Sequence, residues 1–142
     1  MIKTKSLILF LKRSVKMRRI VIAIIILIIS VSVGIFSCFF IKNACNQALS
    51  DVEEVLHSAL TEDVEKVNLL CVQTNLNWKE KVFLLNILIG REYTQEVSKY
   101  LNKMTYFSKN ADWDSIITNA EECKAELVHI IESNEPQLST IL

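Results

Sequence analysis

Residues 20–41 read IVIAIIILIISVSVGIFSCFFI, with no charged side chain from Ile20 to Ile41. A helix of this length covers roughly 33 Å, enough for a hydrocarbon core of roughly 30 Å. Ile and Val are middling helix formers in water. In lipid the backbone has no competing solvent, and a helix is the one way a single segment can satisfy its own amides. Ser30, Ser32 and Ser37 can bond to carbonyls one turn back. Phe36, Phe39 and Phe40 crowd the C-terminal end. The block therefore reads as a transmembrane helix. A cleaved leader has a shorter apolar core and a small-residue exit, and neither is present. Ile35-Phe36-Ser37-Cys38 faintly resembles a lipoprotein cleavage box, but Phe39-Phe40-Ile41 is too apolar for the usual mature start. The expectation is an uncleaved anchor.

Upstream of the block, residues 1–19 carry Lys3, Lys5, Lys12, Arg13, Lys16, Arg18 and Arg19 and no acid. Lys and Arg beside a span stay cytoplasmic, so Lys12, Arg13, Lys16, Arg18 and Arg19 orient the chain N-terminus in. Residues 42–142 are then extracytoplasmic. Met17-Arg18-Arg19 directly before the block resembles a natural start, which would make residues 1–16 an upstream extension. If translated, Leu7–Leu11 with flanking bases can lie along the inner leaflet, or the stretch is a loose basic tail.

Downstream, all 16 acids fall in residues 42–142, leaving that body a net charge of about −7 although the whole chain sums to zero. A basic head, an apolar block and an acidic body describe membrane topology and argue against nucleic-acid binding. The chain has only 2 Gly and 1 Pro in 142 residues, which favours long helices over strands and turns.

The body repeats apolar residues at steps of three and four. Val52, Val55, Leu56, Ala59 and Leu60 form a first stripe. Ser50-Asp51-Val52-Glu53 has the form of a capping box, unless the helix from the membrane simply runs through it. Thr61 is the expected cap of a second helix, with Glu62 and Asp63 in its first turn. Val64, Val67, Cys71, Thr74, Trp78, Val82, Leu85 and Ile89 form its inner face. The run VFLLNILI at 82–89 is apolar all round, which predicts a central place in the bundle. Gly90 suits its end. Thr94 is the expected cap of a third helix with Val97, Tyr100, Leu101, Met104 and Phe107 inward. Lys109-Asn110 reads as a loop. Asp112 is the expected cap of a fourth helix, with Trp113, Ile116, Ile117, Ala120, Cys123, Leu127, Ile130 and Ile131 inward, ending near Ser133. Pro136 disfavours helix at Glu135, and Leu138, Ile141 and Leu142 form a short apolar tail. Glu62-Asp63-Val64 with Val67 and Cys71 weakly echoes Ala111-Asp112-Trp113 with Ile116 and Ala120, as two stacked hairpins would. The expected fold is all-α: one transmembrane helix followed by an antiparallel bundle of three to four helices, as two helical hairpins.

Chemistry is sparse. His57 lies near Asp51, Glu53 and Glu54, and His129 near Glu126 and Glu132; both sets read as solvated helix faces, so no metal or cofactor is expected. Cys38, Cys45, Cys71 and Cys123 form no C-x-x-C pair. Cys71 and Cys123 are on inward faces, either as buried thiols or, outside the cell, as a disulfide. Cys123 and His129 are not at a facing helical spacing, so no activated nucleophile is expected. Two glycines build neither a phosphate loop nor a dinucleotide fingerprint. Trp78, Tyr100 and Trp113 read as core, or as the lining of an interhelical pocket.

The C-terminal half is similar to the domain-of-unknown-function 4363 family of Gram-positive bacteria. The resemblance rests on Asp112-Trp113, on Leu127-Val128-His129-Ile130-Ile131-Glu132, and on Glu135, Leu138 and Ile141-Leu142. Trp78 and the junction from Ile89 to Tyr93 fit less closely. At that junction the family often has an Asp-His-Glu-like run, whereas this chain has Gly90-Arg91-Glu92, so no role is carried over. The resemblance implies a membrane helix with a helical remainder, a start at Met17 and no activity. The functional expectation is a non-enzymatic binding or structural module that contacts another membrane or envelope protein. The alternative is a small ligand or signal sensor with a pocket near Trp78, Tyr100 and Trp113. Pairing with a second copy through the apolar second helix is also open.

Overall fold

A computed structural model describes residues 2–134 of the chain. Its four helices are α1 (Ile2–Leu60), α2 (Val64–Ile89), α3 (Arg91–Lys109) and α4 (Trp113–Asn134), with no strand among the described residues. The fold is all-α, as the composition requires. The chain divides into two compact units, Met1–Ser37 and Cys38–Leu142.

In the first unit, residues 2–37 are helical throughout, including the basic stretch that could have been a loose tail. Ser30, Ser32 and Ser37 donate to the carbonyls of Ile26, Ile28 and Val33 at 2.8–2.9 Å, closing the polar groups of the apolar block onto its own backbone. The large side chains between Ile20 and Ile35 stay 49–67% exposed. α1 is the one described helix long and apolar enough to cross a membrane.

The second unit is an up-down-up-down bundle formed by the C-terminal part of α1 with α2, α3 and α4. Gln47 accepts from Lys81 and Asp51 from Asn77, so α1 and α2 run antiparallel. Trp78–Ser98 and Asn75–Asn102 bonds set α2 against α3 in the same sense. The rings of Tyr93 and His129 bring the start of α3 to the end of α4. Lys124 meets Glu53 at 3.4 Å and closes α4 onto α1. The core is built from most of the expected stripes: Val52, Val55 and Ala59; Val67, Cys71, Trp78 and Leu85; Val97, Leu101 and Met104; Ile116, Ala120, Cys123, Leu127 and Ile130. Leu60 and Val64, expected inward, are exposed at the turn between α1 and α2. Ile41, Ala44, Cys45 and Ala48 extend it toward the end of the apolar block.

Several local expectations are corrected. Ser50-Asp51-Val52-Glu53 does not cap a helix, because α1 continues through it to Leu60. The cap of α2 is Asp63, whose carboxylate accepts from the Lys66 amide, while Thr61 donates its hydroxyl to the Ser58 carbonyl. A carboxylate is at least as good a cap as a threonine hydroxyl, and Glu62 takes the turn at φ 56°. α3 begins at Arg91, three residues before Thr94, because Gly90 supplies the φ of 95° that separates it from α2. Thr94 is instead buried in the first turn, donating to Asn86 and the Arg91 carbonyl. Asp112 caps α4 as expected, through Ser115, and α4 ends at Asn134. Pro136, Leu138, Ile141 and Leu142 lie outside the described residues. The apolar α2 is not enclosed: Phe83 is 75% and Ile87 66% exposed, and α3 instead lies between α2 and α4.

Candidate interaction surface

α2 carries two apolar faces half a turn apart. Its inner face, Val67, Cys71, Trp78 and Leu85, is closed by the bundle. Its outer face presents Leu69, Val72, Leu76, Phe83 and Ile87, all more than a third exposed. From Leu69 to Ile87 is 18 residues, five turns at 3.6 per turn, so the side chains form a straight stripe roughly 27 Å long. Glu80 interrupts it, and Glu65 stands at its upper end. Single exposed apolar residues are ordinary, whereas a stripe of this length is a candidate contact surface.

The seam between α2 and α3 holds the outer face in place. Ser108 donates to Asn68, Thr105 to the Cys71 carbonyl, Asn75 to Asn102, Trp78 to Ser98, and Thr94 to Asn86. These five bonds climb the seam at helical intervals. Thr94, Thr105 and Ser108 also bond carbonyls of their own helix, so the Asn75–Asn102 and Trp78–Ser98 pairs are the ones that set the register and fix which side of α2 faces out. Reading apolar periodicity alone misses Asn68, Ser98 and Asn102. Their signal is a second stripe at steps of three and four on α3, Thr94, Ser98, Asn102, Thr105 and Ser108, made of polar residues beside the core stripe.

The remaining candidates resolve as follows. Trp78 is core, 2% exposed with its indole N–H bonded to Ser98 Oγ at 2.9 Å. Tyr100 and Trp113 pack partly buried against the core. The cavity beside Trp78 holds about 10 Å³, room for at most one water. A cavity of about 200 Å³ between Leu88, Ile89, Tyr93, Ile130, Ser133 and Asn134 adjoins the end of the described residues. The two concavities along residues 8–22 are each lined by one side of a single helix. Cys71 and Cys123 are buried free thiols in this structure. Burial pushes the Cys45 and Cys71 thiols up to about 11, and burial with Glu126 nearby pushes Cys123 up to about 12. A thiol held neutral in this way is a packing group and a poor nucleophile. His129 stacks near Tyr93 and His57 is exposed in the last turn of the α1 bundle segment. Among the described residues no three His, Cys, Asp or Glu side chains are grouped to hold a metal.

Lys12, Arg13, Lys16, Arg18 and Arg19 are all exposed on the first unit. Comparison of the chain with protein-family models, with curated proteins and with solved structures finds no match.

Proposed function

We propose that the chain is a membrane-anchored helical module, its body extracytoplasmic, that serves as an accessory partner of another membrane or envelope protein. The observation that carries this reading is the outer face of α2, an exposed apolar stripe on a helix whose inner face already completes the core. Leaving such side chains in water forgoes about 25 cal/mol for each Å² that a partner would cover. The upper part, Leu69, Val72 and Leu76, is the proposed protein contact. The charge-free block supplies the anchor, and the basic residues before it give the orientation. The resemblance to the domain-of-unknown-function 4363 family adds the same architecture and no activity. The module is proposed as non-catalytic, and its net charge of about −7 disfavours nucleic acid.

The test is differential. Full-length protein and a Leu69→Glu/Leu76→Glu variant are extracted in mild detergent and their bound proteins compared. A partner retained by the first and lost by the second, with helicity unchanged, is the expected result. Identical recoveries would overturn the assignment of this face. Differently tagged copies in the same cells report whether the partner is a second copy.

A further inference from the structure

The lower end of the same stripe has a different chemistry and a definite height. Gln47 pairs with Lys81 and Asp51 with Asn77, so α1 and α2 step past one another four residues at a time. Six residues beyond the first pair, Ile87 comes level with Ile41, the last residue of the charge-free block. Ile41 is itself only 4% exposed, so the bundle packs around α1 as far as this residue. Phe83 lies one turn higher, roughly 6 Å above Ile87. The interfacial layer of a bilayer is roughly 5–8 Å deep on each side of the hydrocarbon. Leu76 stands 11 residues above Ile87, roughly 16 Å, and is clear of that layer.

Composition changes at the same height. In a body of net charge about −7, no acid occurs from Lys81 to Arg91. Phe83 and Ile87 are 75% and 66% exposed, and Tyr93 follows at 40%. Large apolar groups beside a tyrosine and an arginine are what the headgroup boundary accommodates, with the base reaching anionic phosphates. Among the described residues, Glu92, and Glu132 on the last turn of α4, are the exposed acids at this end.

We propose that the end of α2 and the start of α3 form a lipid-contacting foot. Phe83, Ile87 and Tyr93 enter the interface of the bilayer that the anchor crosses, with Arg91 at its phosphates. This rests on the reading of residues 20–41 as a span. The foot restrains the body against the membrane and directs Leu69, Val72 and Leu76 sideways toward a neighbouring protein.

The experiment uses the full chain, with Cys38 replaced by alanine, in vesicles of phosphatidylcholine and phosphatidylglycerol. Spin labels are placed one at a time by Phe83→Cys, Ile87→Cys, Leu76→Cys and Ile28→Cys, and their accessibility to oxygen and to a water-soluble nickel chelate is compared. The expected result is several-fold higher oxygen-to-nickel accessibility at positions 83 and 87 than at 76, approaching that at 28. High nickel accessibility at 83 and 87, with position 28 in lipid, overturns the foot and leaves the anchor standing. Exclusion of both reagents at 83 and 87 also overturns it, in favour of a protein cover, and dipolar broadening identifies that cover as a second copy. High nickel accessibility at position 28 overturns the span, and the foot with it.

Discussion

The two faces of α2 are close in composition and opposite in fate. Val67, Cys71, Trp78 and Leu85 are buried in the bundle, whereas Leu69, Val72, Leu76, Phe83 and Ile87 are all more than a third exposed. Hydrophobicity alone does not assign burial. The number of neighbours does, and a four-helix bundle has only enough to close one side of each helix. The second face of α2 is therefore surplus to folding and available for contact. The apolar block of α1 repeats the lesson more strongly, since from Ile20 to Phe36 its side chains are exposed all round the helix.

The comparison is broken most severely by emptying the inner face. Trp78→Ala should cost about 3–5 kcal/mol, from lost burial, a cavity and an unpaired Ser98 hydroxyl. Phe83→Ala, on the outer face, should stay within about 0.5 kcal/mol in detergent. Thermal unfolding followed by near-ultraviolet dichroism compares the two. Equal losses would mean that the outer face is not free. A smaller effect comes from the seam that orients the two faces. Ser98→Ala leaves the Trp78 indole N–H without its acceptor and should cost about 1–2 kcal/mol, measured the same way.

Caps give a further step down. Asp63→Ala should destabilise by about 1 kcal/mol and exceed Thr61→Ala, since Asp63 carries the bond to the Lys66 amide. In the opposite direction, Ser58 Oγ is buried without a hydrogen-bond partner. Ser58→Ala should therefore raise stability by about 1 kcal/mol. The buried thiols add a pH dependence of definite sign. Their folded values, about 11 to 12, lie above the ordinary thiol value of 9.0. Their contribution is complete below pH 9 and is lost as pH rises from 9 toward 12, where unfolded thiols ionise first. Replacing Cys123 by alanine should flatten that alkaline decline, which unfolding midpoints across the range would show.

Much of this architecture is legible in the sequence. The absence of charge from Ile20 to Ile41 and the three-and-four spacing of Val67, Cys71, Trp78 and Leu85 suffice for four helices and their inner faces. The errors share one cause: helix ends and outer faces are decided by neighbours that periodicity does not name. Thr94 has the composition of a cap but is drawn into the core by Asn86 and by the break at Gly90. Phe83 and Ile87 have the composition of a core but stay exposed. The seam of Asn68, Asn75 and Asn86 was hidden because polar residues on a half-buried face look like surface until their partners Ser108, Asn102 and Thr94 are placed opposite.

The claim on which all of this turns is that the apolar block crosses a membrane and leaves the bundle outside. Cysteine introduced at Asn110, in the loop between α3 and α4, and separately at Ser6, reports it directly in intact cells through a membrane-impermeant maleimide. The account predicts labelling at position 110 and protection at position 6. Labelling at position 6 with protection at 110 would contradict it, placing the acidic bundle in the cytoplasm.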